Sequence, residues 1–395
     1  KRRTWLEAGV EFWTANILTN PTTHAVNMVS GLALDAWHIG VVKPLAGAIG
    51  STRGLADMGA AERITLSEAA ASISAGTRAI ADGMRGMFDV LMTNQSQFDK
   101  VGRGDAKTET MGAVGAKLGE TSGRTGEGAA EVLTPAFRLL RAEDELFKTI
   151  AFRSEIAGLA TRSGIMAGLE GDALKAHADA FLKNPPEEAY KAALQKADEL
   201  TLQDTQMGGG IIGVVGMEAR KLTSRFPALK FIMPFITTPV NAVATGIESS
   251  MFAALSPKLW KDIRSGGAAS DMAIAKIVSG TALTGFAYLL YQQGMLTGAG
   301  PENPEQKKML MASGWRPNSI RIGDTYTDIN RMDPFGAALA SAAGAMDRAT
   351  FERREIDMAR EMAGAVGAFA ERMLDLPFLQ GVKDLMDSFE YGLSS

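Results

Sequence analysis

Apolar residues recur at helical spacing along most of this chain, and strand-like alternation is confined to one short stretch. Residues 4–19 and 22–48 read as two helices divided at Asn20-Pro21. Pro disfavours helix at the residue before it and suits the first position of a new helix. Asn20 then stands at the N-cap, with its side-chain oxygen placed to accept from the Thr23 amide. His24, Asn27 and Gly31 follow on one face of the new helix. The stretch NILTNPTTHAVNMVSG is therefore expected to be a structural corner made by Asn20, Pro21, His24 and Asn27. A His-centred site is the functional alternative. It needs a second group to tune the ring, no carboxylate shares that face, and the other histidines are the distant His38 and His177.

Residues 66–92 repeat every seven positions. Ile73, Ile80 and Met87 form one track, and Thr77, Met84 and Leu91 form its companion. Gly76 and Gly83 lie on the same helix, which favours close packing over a free zipper. Residues 94–130 lose the pattern and are Gly-rich and polar, so they read as a long loop or hinge. Helices resume over 134–204, with Leu139, Leu146, Ile150 and Leu159 near one face. Arg141 with Glu145 and Asp144 with Lys148 are i,i+4 pairs. Asn184, the prolines after it and Glu187-Glu188 predict the capped start of another helix. Residues 304–313 read as a short helix, and 318–330 as a hairpin with alternating Ile320 and Ile322 around a Gly-Asp turn. Helices follow at 334–348, 351–372 and about 378–391.

The region 207–301 is the most apolar. Ile277 to Pro301 carries no charged residue; as one helix it would span about 37 Å, against about 30 Å of bilayer hydrocarbon. Its packing candidates are Ile277, Val278, Thr281, Leu283, Gly285, Phe286, Leu289 and Leu290, in which Thr281 and Gly285 make a small-xxx-small pair. Phe231 to Ile247 is also uncharged but carries Pro234 and Pro239, which kink or break a helix. Two readings fit these runs: core helices of a large helical protein, or membrane insertion.

Composition narrows the chemistry. With 41 basic and 45 acidic residues the net charge is -4, which argues against a dedicated nucleic-acid binder. There is no Cys and there are 3 His, so a disulfide framework, a thiol nucleophile and a transition-metal site all lack their residues. No phosphate-binding loop, zinc-protease, serine-elbow or calcium-loop motif occurs. Glu143-Asp144-Glu145 sits among basic residues, where a solvated or ion-paired face is the default. The expectation is no enzyme activity in this segment, no catalytic residues, no metal and no cofactor. The 43 Gly and 21 Met suit closely packed helices with faces that repack against changing partners.

Four stretches in order carry a resemblance: NILTNPTTHAVNMVSG, RAEDELFKTIAFRSEIAGLA, LKFIMPFITTPVNAVATGIE and GWRPNSIRIGDTYTDINRMDPFGAALASAAG. Together, over about residues 16 to 345, they resemble the internal virion, or DNA-ejection, proteins of tailed, short-tailed bacteriophages and the related large polyvalent phage proteins. The resemblance implies a noncatalytic helical region of a longer polypeptide. It implies a homo-oligomer in the capsid interior with other ejection proteins and the portal, then a conduit in the host envelope. Host membrane and passing double-stranded DNA, contacted without sequence specificity, are the further partners. A segment of a large phage enzyme whose active site lies elsewhere, or a host membrane-associated helical protein, is the alternative. The expected fold is an all-α, extended multi-helix assembly with one small β-hairpin near 318–330. Its regions are an N-terminal helical part (1–93), the hinge (94–130), a helical part (131–206), the apolar part (207–301) and the hairpin with C-terminal helices (302–395).

Overall fold

The computed structural model describes residues 20–56, 62–98, 124–203, 221, 225, 237–329 and 335–351. The expected helices at 4–19 and 378–391, the apolar run at 207–217 and nearly all of the 351–372 helix lie outside the described residues. The protein is all-α with one two-stranded hairpin.

Helix α1 (Pro21–Trp37) begins on the proline that the corner predicts, and Asn20 stands just before it. The helix expected to end near 48 continues further and contains a π turn, His38–Val42, before α2 (Lys43–Ala56). A π turn holds more residues per turn, so the face after it is rotated relative to the face before it. His24 and Gly31, one face of α1, both meet a single long helix, α4 (Arg124–Met166). A Cβ on Gly31 would fall 2.5 Å from the Phe147 ring, so only glycine lets the two helices approach there.

Helix α3 (Leu66–Thr93) starts at an N-cap in which Thr65 accepts from the Glu68 amide, and it stops at Asn94 in the left-handed region (φ 56). Its buried face on α4 is a seam of small residues, including Ala69, Ser72, Gly76, Ala79 and Gly83. The close packing expected from Gly76 and Gly83 is present: a Cβ on Gly83 would lie 2.8 Å from Leu146 Cδ1 and 3.0 Å from the Leu146 carbonyl oxygen. The seven-residue repeat is not the seam that packs. Ile73, Ile80 and Met84 face outward, because the small residues beside them permit the closer approach.

Helix α4 begins at Arg124, inside the stretch expected to be loop, and carries Pro135 within it. Residues 99–123 lie outside the described residues. Helix α5 (Gly171–Lys183) and α6 (Glu187–Leu200) both pack on α4. Asn184 does not cap α6. It closes α5, donating its amide to the Ala180 carbonyl, and Pro186 holds the N-cap position of α6.

Helix α7 (Thr237–Glu248), a 3-10 turn (Met251–Leu255) and α8 (Pro257–Ser265) lead into α9 (Gly267–Gln292). Helix α9 starts ten residues before the uncharged run and ends at Gln292, so the run is not one long span. Its tail turns back, and Leu296 bridges to Ile320 of the hairpin. Helix α10 (Pro304–Ala312) is capped by Asn303, which accepts from the Glu305 and Gln306 amides. Strands β1 (Ser319–Ile322) and β2 (Thr325–Asp328) pair antiparallel around Gly323-Asp324. Ile320 packs inward, while Ile322 passes the edge of the core and is exposed. Helix α11 (Phe335–Phe351) then closes a cluster that includes Ala287, Leu296, Ile329, Leu339 and Ala343. The end of α9 and the loop after it are held by Asp347 of α11, which accepts from the Tyr291 hydroxyl and the Gly300 amide, each at 2.7 Å.

Candidate functional site

The corner acquires the carboxylate that its own helix lacks. His24 Nδ1 and Glu143 Oε1 lie 2.7 Å apart in a buried hydrogen bond between α1 and α4. The Asn27 side chain also hydrogen-bonds this carboxyl. Burial pushes the Glu143 carboxyl up, and His24 with Asn27 pull it back. Of the two settings expected for the acidic triplet, Glu143 takes the ion-paired one and not the solvated one; it and Glu145 are both buried. Ser96 donates to Glu145, and Arg141 donates to the Asn94 carbonyl oxygen at 2.9 Å, so the end of α3 is tied to α4. Asp144 is pushed up to about 6 by burial, offset in part by Lys148 and by a hydrogen bond from Gln203. These groups stitch α1, α3 and the chain after α6 onto α4. They face the protein interior.

A second polar system follows the π turn. Lys43, the first residue of α2, is fully buried and donates to Glu155 at 2.6 Å. Glu68 of α3 is also fully buried and takes both forks of Arg162, at 2.6 and 2.8 Å, while Arg162 reaches Glu62 at 2.9 Å. Burial alone would raise the Glu155 carboxyl, but Lys43 and then Lys196 bring it down to about 2. His38, fully enclosed in the π turn, is held down to about 3 by burial and by Lys196. Lys196 also pairs with Glu199 at 2.6 Å, and Lys276 bridges Glu199 and Glu248 at 3.0 and 2.6 Å. Alternating charges thus join α3, α4, α2, α6, α9 and α7. Such groups are stable inside because each is paired; removing one partner strands the other. Asp35 is not paired in this way: it is buried, both its oxygens lack a partner, and burial raises its carboxyl well above the usual range.

The third feature is the outer face of α9. Val278, Thr281, Gly285, Phe286 and Leu289 are exposed, and a Cβ on Gly285 would meet nothing within 4 Å. Ile277, Leu283 and Leu290 are half-buried and turn toward the core. The eight packing candidates therefore divide, and the small pair Thr281 and Gly285 belongs to the open side. The start of this helix is anchored differently. Asp271 is fully buried, accepts from the Ile64 amide at 3.0 Å and pairs with Arg53 at 3.1 Å. Two helical runs, His24–Arg53 and Gly267–Gln292, are long and apolar enough to cross a membrane, with 28% of each apolar window buried.

Sequence reasoning placed the start of α1 at Pro21, but it did not divide the α9 candidates between an open and a packed side. It missed Glu143 as the partner of His24, and it missed the Lys43–Glu155 and Glu68–Arg162 pairs. One signal was present: Lys43 interrupts the apolar run VVKPLAGA, where an unpaired charge could not be buried. Among the described residues no group of three or more His, Cys, Asp or Glu could hold a metal ion. No known protein family, no curated protein and no solved structure matches the chain.

Proposed function

We propose that this chain is a structural internal virion protein of a tailed phage. In this reading it oligomerises in the capsid interior beside the portal and the other ejection proteins. After release it helps to build the conduit that carries the genome across the host envelope. The observation that carries the proposal beyond the ordered motif resemblance is the open apolar side of α9 on an otherwise well-anchored helix. Monomeric soluble proteins rarely leave a large contiguous apolar face uncovered, and such a face marks contact with protein or lipid. Asp271 and Lys276 are satisfied by protein partners, so the reading is surface contact by α9 with neighbours or lipid, not a simple span. A net charge of -4 suits a lumen through which DNA passes without being gripped, since phosphate contacts by Lys and Arg would bind it tightly.

The test is cryo-electron microscopy of intact particles and of particles triggered to release DNA, with mass spectrometry following this chain. Order near the portal before release and recovery in host envelope afterwards is the expected result. A chain absent from the virion, or one that stays in the capsid, overturns the proposal. The α9 face also fits a second reading, a host membrane-associated helical protein, and the ordered motif resemblance is what favours the phage one. Absence from particles together with envelope recovery from uninfected cells would select the host reading.

A further inference from the structure

Helix α3 has two seams, and among the described residues only one is packed along its whole length. The small-residue seam lies on α4. The other steps by alternating fours and threes: Ile73, Thr77, Ile80, Met84, Met87 and Leu91. Met87 and Leu91 are half-buried, with Met28 of α1 packed in the same cluster as Met87. The remainder is open: Ile80 is 46% and Met84 38% exposed, and Phe88 beside them is 57% exposed.

We propose that this outer seam of α3 docks against the same seam of a second copy of this chain. The proposal rests on the oligomer in the functional reading and names the surface that makes it. Three observations favour a second copy as the occupant. First, the alternation has the 3.5-residue period of interlocking helices, which a facing helix of the same period can follow and a lipid surface does not select. The helix that presents this period outward is α3 itself, so a two-fold pair is self-complementary. Second, the area suits a weak pair. The exposed parts of Leu66, Ile73, Ile80, Met84 and Phe88, at about 190 Å² for a free large side chain, give about 440 Å² per copy and about 900 Å² for a pair, within the range of weak, transient interfaces. Third, the charges of α3 are out of the way. Arg78, Asp82, Arg85 and Asp89 fall on the side of the helix turned from the seam, and Arg85 already pairs with Asp82 at 3.0 Å. Docking therefore buries no charge.

The test uses the full chain in sedimentation equilibrium, comparing wild type with Ile80→Glu/Met84→Glu. Both positions are exposed, and circular dichroism checks that the helical fold is kept. The expected wild-type mass is at least twice 41.8 kDa, falling by half or more in the double variant. The chain has no Cys, so Met84→Cys with a short bis-maleimide offers a second readout. It should give a cross-linked pair, and Phe286→Cys on α9 should give far less. A wild-type chain that stays monomeric at tens of micromolar, or a mass unchanged in Ile80→Glu/Met84→Glu, overturns the proposal. So does loss of binding to phosphatidylglycerol vesicles by that variant without a change in mass, which assigns the seam to lipid. The membrane arm of the functional reading is read separately from Phe286→Glu/Leu289→Glu, which should lose vesicle binding and keep the wild-type mass.

Discussion

Two glycines of α9, five residues apart, separate backbone propensity from packing. Replacing a mid-helix Gly by Ala gains about 1 kcal/mol from the backbone when the new methyl has room. At Gly285 a Cβ meets nothing within 4 Å, so Gly285→Ala should be more stable than wild type by about that amount. At Gly280 the same methyl would sit 2.5 Å from the Ser250 carbonyl oxygen and 2.7 Å from the Ser250 nitrogen. These are backbone atoms of the turn packed against α9 and cannot rotate aside. Overpacking of this kind costs about 1–3 kcal/mol, and the rigid neighbours place it toward the upper end. The gain of about 1 kcal/mol is common to both sites, so the difference between the variants is the packing cost alone, about 2–3 kcal/mol. Thermal melts by circular dichroism should raise Tm by about 1–2 °C for Gly285→Ala and lower it for Gly280→Ala, given the unfolding entropy of a chain of 395 residues. Equal stabilisation in both variants would refute the close approach of α9 to Ser249-Ser250, and a destabilised Gly285→Ala would refute the assignment of Gly285 to the open side.

The paired charges and the caps make further predictions. Arg162→Met leaves fully buried Glu68 without its bidentate partner and should cost about 3–5 kcal/mol in urea unfolding; adding Glu68→Gln should recover part of that loss. Thr65→Ala removes the acceptor for the Glu68 amide and should cost about 1 kcal/mol, measured the same way. Asp144 titrates near 6 in the folded protein against an ordinary value of 3.8, so between these values the folded state binds more protons than the unfolded chain. Stability from this group is fully present below pH 3.8 and declines as pH rises through 6. Asp144→Asn removes that decline. It should raise stability at pH 8 by up to about 3 kcal/mol and change it little at pH 4; an equal effect at both pH values would contradict the burial of this carboxyl.

Local chemistry was legible in the sequence because its causes are local. Proline at a helix start put the beginning of α1 at Pro21, the short helix expected over 304–313 is α10, and Gly323-Asp324 made the turn of the hairpin. At Asn184 the same reasoning misassigned the residue, since one polar side chain between two helices can serve the end of either. Periodicity also identified both apolar tracks of α3, and the glycines beside them announced close packing.

What only the tertiary structure decided is which of two faces is covered and by what. Helical spacing shows that a stripe exists, but α4 chose the small side of α3, because glycine and alanine let backbones approach where Ile80 and Met84 would hold them apart. The partner of His24 is 119 positions away and that of Lys43 is 112 away, distances at which spacing along one helix carries no information. A buried charge is tolerable only where a second helix brings its counterpart, and that meeting is a property of the packed chain, not of any segment within it.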